Sequence, residues 1–233
     1  MIKIQNISKS FNGQIVVDNL TLEAKTGEIV GLLGANGAGK STTINMLLGF
    51  LHPENGTIHV DGIDSKNNFK NIRKVIGYVP ENVNLYPYLS GIENLDYFCK
   101  LNNTKYNLNQ LEQILIECGL EKETHHKKIE NYSKGMRQKV GIAIAYSRNA
   151  KVYLLDEPAS GLDPLASNEL SLLLKKLASN GATIIMASHD IFRVNETCDK
   201  ICILKKGLLV KEIVGGSLSS KELEDVYINY IKN

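Results

Sequence analysis

The chain has 233 residues, 43% hydrophobic and 22% charged, enough apolar content for one large domain or a domain carrying an inserted subdomain. Its 27 basic and 25 acidic side chains leave a net charge of +2, which excludes a strong field aimed at nucleic acid or at an acidic partner. The first residues lack the basic start and apolar run of a signal peptide, and no stretch approaches the roughly 18 continuous apolar residues of a membrane span, so the chain is expected to be soluble on its own.

Ile2, Ile4 and Ile7 begin a strand, and Val17, Leu20 and Leu22 alternate loosely through a second over residues 15–22. Residues 28–33 form a short apolar run ending in glycine, fit for a buried strand. Ile44, Leu47, Leu48 and Leu51 are spaced as on a helix over 40–51, and strands are expected at 57–60 and 75–79 with a polar segment between. From 82 to 147 the texture changes. Glycine is sparse and helical periods appear, as in Ile92, Leu95 and Phe98, then Leu108, Leu111, Leu115 and Cys118. A buried strand at 152–155, a helix at 165–177 and a strand at 183–187 follow, then a hairpin turning at Lys206-Gly207. A last helix over 219–231 opens with Ser219 and Glu222, a capping-box spacing. Alternating strands and helices predict an α/β fold with a mostly parallel central sheet and, at 82–147, an inserted helical subdomain.

Four cysteines, Cys99, Cys118, Cys198 and Cys202, make no CxxC pair. Cys198 and Cys202 would share a helix face, but a strand opens at Lys200 and Ile201, and two thiols make a poor zinc site. They read as reduced, partly buried thiols. His125 and His126 read as loop residues, and the short pairs Lys127-Lys128 and Lys205-Lys206 as solvated surface lysines.

The chemistry concentrates in two places. Gly34-Ala35-Asn36-Gly37-Ala38-Gly39-Lys40-Ser41, with Thr42 beyond it, fits G-x-x-x-x-G-K-[ST] between an expected strand and an expected helix. Its glycines let backbone N–H groups turn inward onto phosphate oxygens at a helix start. Lys40 is placed to reach the β- and γ-phosphates and Ser41 to bind Mg²⁺. The second place is the apolar run 152–155, which ends in Asp156 and Glu157. A buried strand delivers such carboxylates to its C-terminal edge. Asp156 is placed to hold Mg²⁺ and Glu157 to polarise an attacking water as general base.

Further motifs stand in a fixed order around these. Tyr132-Ser133-Lys134-Gly135-Met136-Arg137-Gln138 precedes Asp156, Ser160-Gly161-Leu162-Asp163-Pro164 follows Glu157, and His189 comes just past a strand. Phe11 and Tyr78-Val79-Pro80-Glu81 complete the set. Together they resemble the ATP-binding subunits of ABC transporters, over the whole chain. The resemblance implies an N-terminal antiparallel β subdomain, a catalytic core of residues 1–81 and 148–233, and a signature subdomain at 82–147. It implies adenine stacking by Phe11 and a switch histidine at His189. It implies contacts from Ser133, Gly135 and Asp163 to the ATP of a second copy or of a homologous ATPase subunit, arranged head to tail. Glu81, in the Q-loop position, is implied as a Mg²⁺ ligand with Ser41 and Asp156. ATP and Mg²⁺ are the implied ligands. The implied partners are multi-span permease chains, with no nucleic acid, at the cytoplasmic face of the membrane.

Three positions depart from the family pattern. Lys134 replaces the first glycine of the signature, Met136 its glutamine, and Glu81 the Q-loop glutamine. Val79-Pro80-Glu81 is familiar in the exporter branch that handles drugs, antibiotics, polysaccharides and cofactor-maturation cargo. An importer subunit and a soluble ABC ATPase of DNA repair or translation stand as alternatives. The short tail after Ile213 argues against the first, because importers frequently carry a longer regulatory domain there. The absence of tandem ATPase domains, a long coiled coil or zinc inserts argues against the second.

Overall fold

A computed structural model describes residues 1–66 and 68–232. Two sheets organise it. The smaller is antiparallel, built from β1 (Ile2–Phe11), β2 (Gln14–Ala24), β4 (Asn55–Val60) and β5 (Ile63–Asp64), in the order β2-β1-β4-β5. The larger contains β3 (Ile29–Leu33), β6 (Ile76–Val79), β7 (Val152–Asp156), β8 (Thr183–Ser188), β9 (Lys200–Lys205) and β10 (Leu208–Val214). Its order is β10-β9-β3-β8-β7-β6, parallel throughout except for β10, which returns antiparallel to β9.

The larger sheet is buried on both faces, which is why its strands read as apolar runs. Side chains alternate between two cores. Ile29 and Leu33, Tyr153 and Leu155, and Ile184 and Met186 enter one. Val30 and Leu32, Val152 and Leu154, and Ile185 and Ala187 enter the other. The second core is shared with the antiparallel sheet and with α1 (Lys40–Leu48), through Ile2, Ile4, Ile44 and Leu47. The first is shared with α3 (Gly91–Leu101), α4 (Leu108–Glu117), α5 (Lys134–Ser147) and α6 (Pro164–Ser179).

Local signals explain most helix starts. Ser90 with Glu93 and Asn107 with Gln110 form capping boxes on α3 and α4. Ser133 caps α5, and Asp163 caps α6 with Pro164 in its first turn. The expected Ser219–Glu222 box opens α8 (Ser220–Lys232). Three expectations need correction. The first helix stops at Leu48, short of 51, because Gly49 takes a left-handed conformation and closes it. Val75 ends a helix, α2 (Phe69–Val75), and does not open β6. The polar stretch before it thus holds α2 and β5, and a further short helix, α7 (Ile191–Thr197), follows β8.

The cysteines are free and fully buried, more so than expected. His125 and His126 do lie in the connection between α4 and α5, but His125 is buried with Nε2 3.0 Å from the Leu120 carbonyl. His126 faces Glu112 at 3.7 Å. Among the described residues no helix is long and apolar enough to cross a membrane.

Helix α5 seats directly on β6. A Cβ added at Gly77 would lie 2.5 Å from the Ala145 Cβ, so strand backbone and helix meet with only that methyl between them. Gly77→Val is therefore expected to lower unfolding free energy by about 1–3 kcal/mol through overpacking. Urea denaturation of the nucleotide-free chain measures it, and an unchanged midpoint would mean that α5 can lift off the sheet without cost.

Candidate active site

The parallel register brings four loops to one edge. Leu33 lies opposite Ser188, Ala187 opposite Asp156, and Leu155 opposite Val79. Residues 34–39, 80–81, 157–163 and 189 therefore leave the sheet together at its carboxyl edge, where α/β sheets bind ligands.

The first loop is built to present its backbone. Gly34 N–H donates to the Ser188 carbonyl at 3.3 Å, and Ala38 N–H to Ala35 at 3.1 Å. Gly39 has φ 100° and passes so close to β2 that a Cβ would sit 2.7 Å from the Val16 carbonyl, which only glycine allows. Helix α1 starts behind it with no side-chain cap. Its first N–H groups are left for an anion, and Ala35, Asn36, Gly37 and Ser41 are exposed around them. Thr42 is half-buried behind Ser41. Lys40 folds back into the loop. Its Nζ donates to the Gly34 carbonyl at 2.6 Å and the Ala35 carbonyl at 3.3 Å, and pairs with Glu157 Oε1 at 3.4 Å.

Asp156 and Glu157 end β7 as expected. Ser41 Oγ donates to Asp156 Oδ1 at 3.1 Å, so the two residues assigned to the metal touch. Burial, reinforced by the charges of Glu157 and Glu81, pushes the Asp156 carboxyl above its ordinary range against the pull of Ser41 and Lys40. Glu157 has φ 47° and its side chain is 13% exposed. Its Oε2 accepts from His189 N–H at 3.3 Å and lies 2.9 Å from His189 Nδ1. The base and switch candidates are thus joined, with the imidazole open to solvent.

Ser133, Gly135 and Asp163 also come together. They line one cavity of about 340 Å³ with Met136, Ala166 and Glu169. No residue of 34–42 lines that cavity. Phe11 lies at the end of β1, 42% exposed, with Lys9 Nζ 5.7 Å from its ring centroid. Glu81 goes elsewhere than the metal pair: its Oε1 accepts from Ser160 Oγ at 3.0 Å.

Residues 17–160, more than half of the chain, match the sequence profile of the family described as ABC transporter. The chain belongs to the ABC transporter family. The bacitracin transport ATP-binding protein BcrA of Enterococcus faecalis is 36% identical over 91% of this ABC subunit and 69% of its own length. The linearmycin resistance ATP-binding protein LnrL of Bacillus subtilis (strain 168) is 34% identical over 90% of this chain and 68% of its own. Among solved structures, the dimeric post-hydrolysis state of the ATP-binding cassette MJ0796, bound to ADP and Pi, superimposes with a TM-score of 0.80. It is 28% identical and covers 92% of this chain and 98% of that one. This ABC subunit is accordingly a nucleotide-binding ATPase with the expected α/β cassette fold.

Some site residues of this ABC subunit were not legible beforehand. Gln138 is buried, and its Nε2 donates to the backbone carbonyl of Glu81 at 2.7 Å, gripping the loop after β6. The sequence shows it as the last residue of the 132–138 motif, a polar residue on the helix face shared with buried Gly135 and Ile142, with no sign of a reach to residue 81. Ser160, which meets Glu81, opens the 160–164 motif, and its sequence gives no sign of that contact.

Proposed function

We propose that the subunit powers export through separate membrane permease chains, working as a head-to-tail pair at the cytoplasmic face of the membrane. The observation that carries the paired arrangement is the separation of two half-sites on one chain. The phosphate loop with Asp156 and Glu157 forms one, and the cavity of Ser133, Gly135 and Asp163 forms another without any residue of 34–42. A second copy supplies the missing half of each. The nucleotide then joins the two chains through contacts made only when they close, which is a ligand-driven two-state switch. Export is supported by relatives named for bacitracin transport, linearmycin resistance and Nod factor export.

In this reading Gly34 to Ser41 and Thr42 hold the phosphates, Phe11 stacks on adenine, Glu157 is the general base and His189 aligns it. Residues 1–81 and 148–233 form the catalytic core, and 82–147 the lever that passes motion to the permease. Mg²⁺ fits the donors present: a hydroxyl and a carboxylate already in contact, hard oxygen ligands of the kind that cation takes. When bound it would neutralise charge on the phosphates and on the Asp156 carboxylate.

The chain, tagged and recovered from solubilised membranes of its own cells, is expected to bring down a multi-span membrane protein. Cells lacking the chain are expected to accumulate the cargo of that permease. Recovery only with ribosomes or DNA would sink the transport reading, and depletion of the cargo inside such cells would reverse the direction.

A further inference from the structure

Two of the positions that depart from the family pattern face each other. Lys134 Nζ lies 4.0 Å from Glu81 Oε1, the same oxygen that accepts from Ser160 Oγ at 3.0 Å. Lys134 and Gln138 are four apart on α5, so one face of this helix holds the side chain of Glu81 with the first and its backbone carbonyl with the second. Ser160 is tied in turn to the catalytic turn, its N–H donating to the Glu157 carbonyl at 3.1 Å. One carboxylate thereby connects the loop after β6, the start of α5 and the turn after β7. These segments are far apart in sequence, and each borders a half-site.

We infer that Lys134 is a positioning residue for Glu81: with Ser160 it holds the carboxylate against the turn after β7, and so sets how much Mg²⁺ the site requires. The inference rests on the reading that Mg²⁺ enters beside Ser41 and Asp156 and draws in Glu81 as a further ligand. Ser160 and Lys134 both act on Oε1 of Glu81, so a metal that draws this carboxylate toward Ser41 and Asp156 works against their hold. The ammonium also offsets a third negative charge placed near Asp156 and Glu157, whose effect is felt at Asp156. The pair is partly exposed, so its strength depends on the hydroxyl and on the backbone grip of Gln138 beside it.

Two measurements test this on the full chain. The first needs no nucleotide. Hydrogen exchange is expected to quicken at residues 80–84 and 157–162 in Lys134→Gln, and Lys134→Arg is expected to restore protection. In a Glu81→Gln background the Lys134→Gln change should add nothing. Unchanged exchange, or the same increase in both backgrounds, would overturn the inference. The second is a Mg²⁺ titration of ATPase rate at fixed ATP. Lys134→Gln is expected to shift the half-maximal Mg²⁺ severalfold lower, and Glu81→Gln higher, with no further shift in the double variant. Equal midpoints in all four proteins, with exchange altered, would overturn the control of Mg²⁺ by Lys134. A wild-type rate indifferent to Mg²⁺ would instead overturn the metal reading of Ser41 and Asp156, and the exchange result alone would then judge the hold on Glu81.

Discussion

Glu157→Gln is expected to lower ATP hydrolysis by ~10²–10⁴ while ATP still binds, the usual worth of a positioned general base. Glutamine keeps the length of the side chain, and its carbonyl can still accept from the His189 N–H that now meets Oε2 at 3.3 Å. What it loses is the charge that draws a proton from water and that faces Lys40 at 3.4 Å. The phosphate loop does not depend on that charge, because the Gly34 and Ala35 carbonyls also hold Lys40. Single-turnover phosphate release measures the chemical step, and a fluorescent ATP analogue measures binding. Sedimentation with ATP and Mg²⁺ is expected to show a stable dimer in the variant, since its ligand persists. A variant that hydrolyses at the wild-type rate would remove Glu157 from the role of base.

Lys40→Ala and Ser133→Arg are each expected to abolish hydrolysis, for different reasons. Lys40 is buried within the loop, its ammonium held by the Gly34 carbonyl at 2.6 Å, and its loss removes the cation assigned to the phosphates. Ser133 sits in the other half-site, and an arginine there replaces the hydroxyl assigned to the ATP of a second chain. It also removes the cap that accepts from Met136 N–H at 3.2 Å, a cost of about 1 kcal/mol that leaves the fold intact. Ser133→Arg should therefore bind ATP as a monomer nearly as well as wild type, whereas Lys40→Ala should not. Mixed together, the two variants can assemble one site with neither lesion, Lys40 coming from one chain and Ser133 from the other. Recovery of hydrolysis in the mixture, absent from either alone, is the expected result. If Ser133→Arg lost monomer affinity as severely as Lys40→Ala, the half-sites would be acting within one chain.

The parts of the site that the sequence disclosed are those where local chemistry and strand order coincide. Lys40 and Ser41 follow a glycine loop whose neighbours must be a strand and a helix, and Asp156 and Glu157 follow an unbroken apolar run. Parallel pairing then forces them to the same edge, so two local readings become one place. The hidden parts depend on side chains crossing long sequence separations. Nothing in the order of residues says that Glu81 turns to Ser160 and Lys134, or that Gln138 reaches the Glu81 backbone. The short helices α2 and α7 were missed for another reason. Each has seven residues and buries only one or two of them, too few to establish a period.

The backbone at Glu157 has a consequence for how such a chain can be improved. A glutamate at φ 47° occupies a left-handed conformation that costs of order 1–3 kcal/mol, and its bonds to Lys40 and His189 hold it there. Glycine or asparagine would accept the same backbone with less strain. Selection for heat resistance alone would therefore favour replacing the one carboxylate assigned to the chemistry. Stability and turnover pull in opposite directions at this residue, and a thermostable library should hold position 157 fixed.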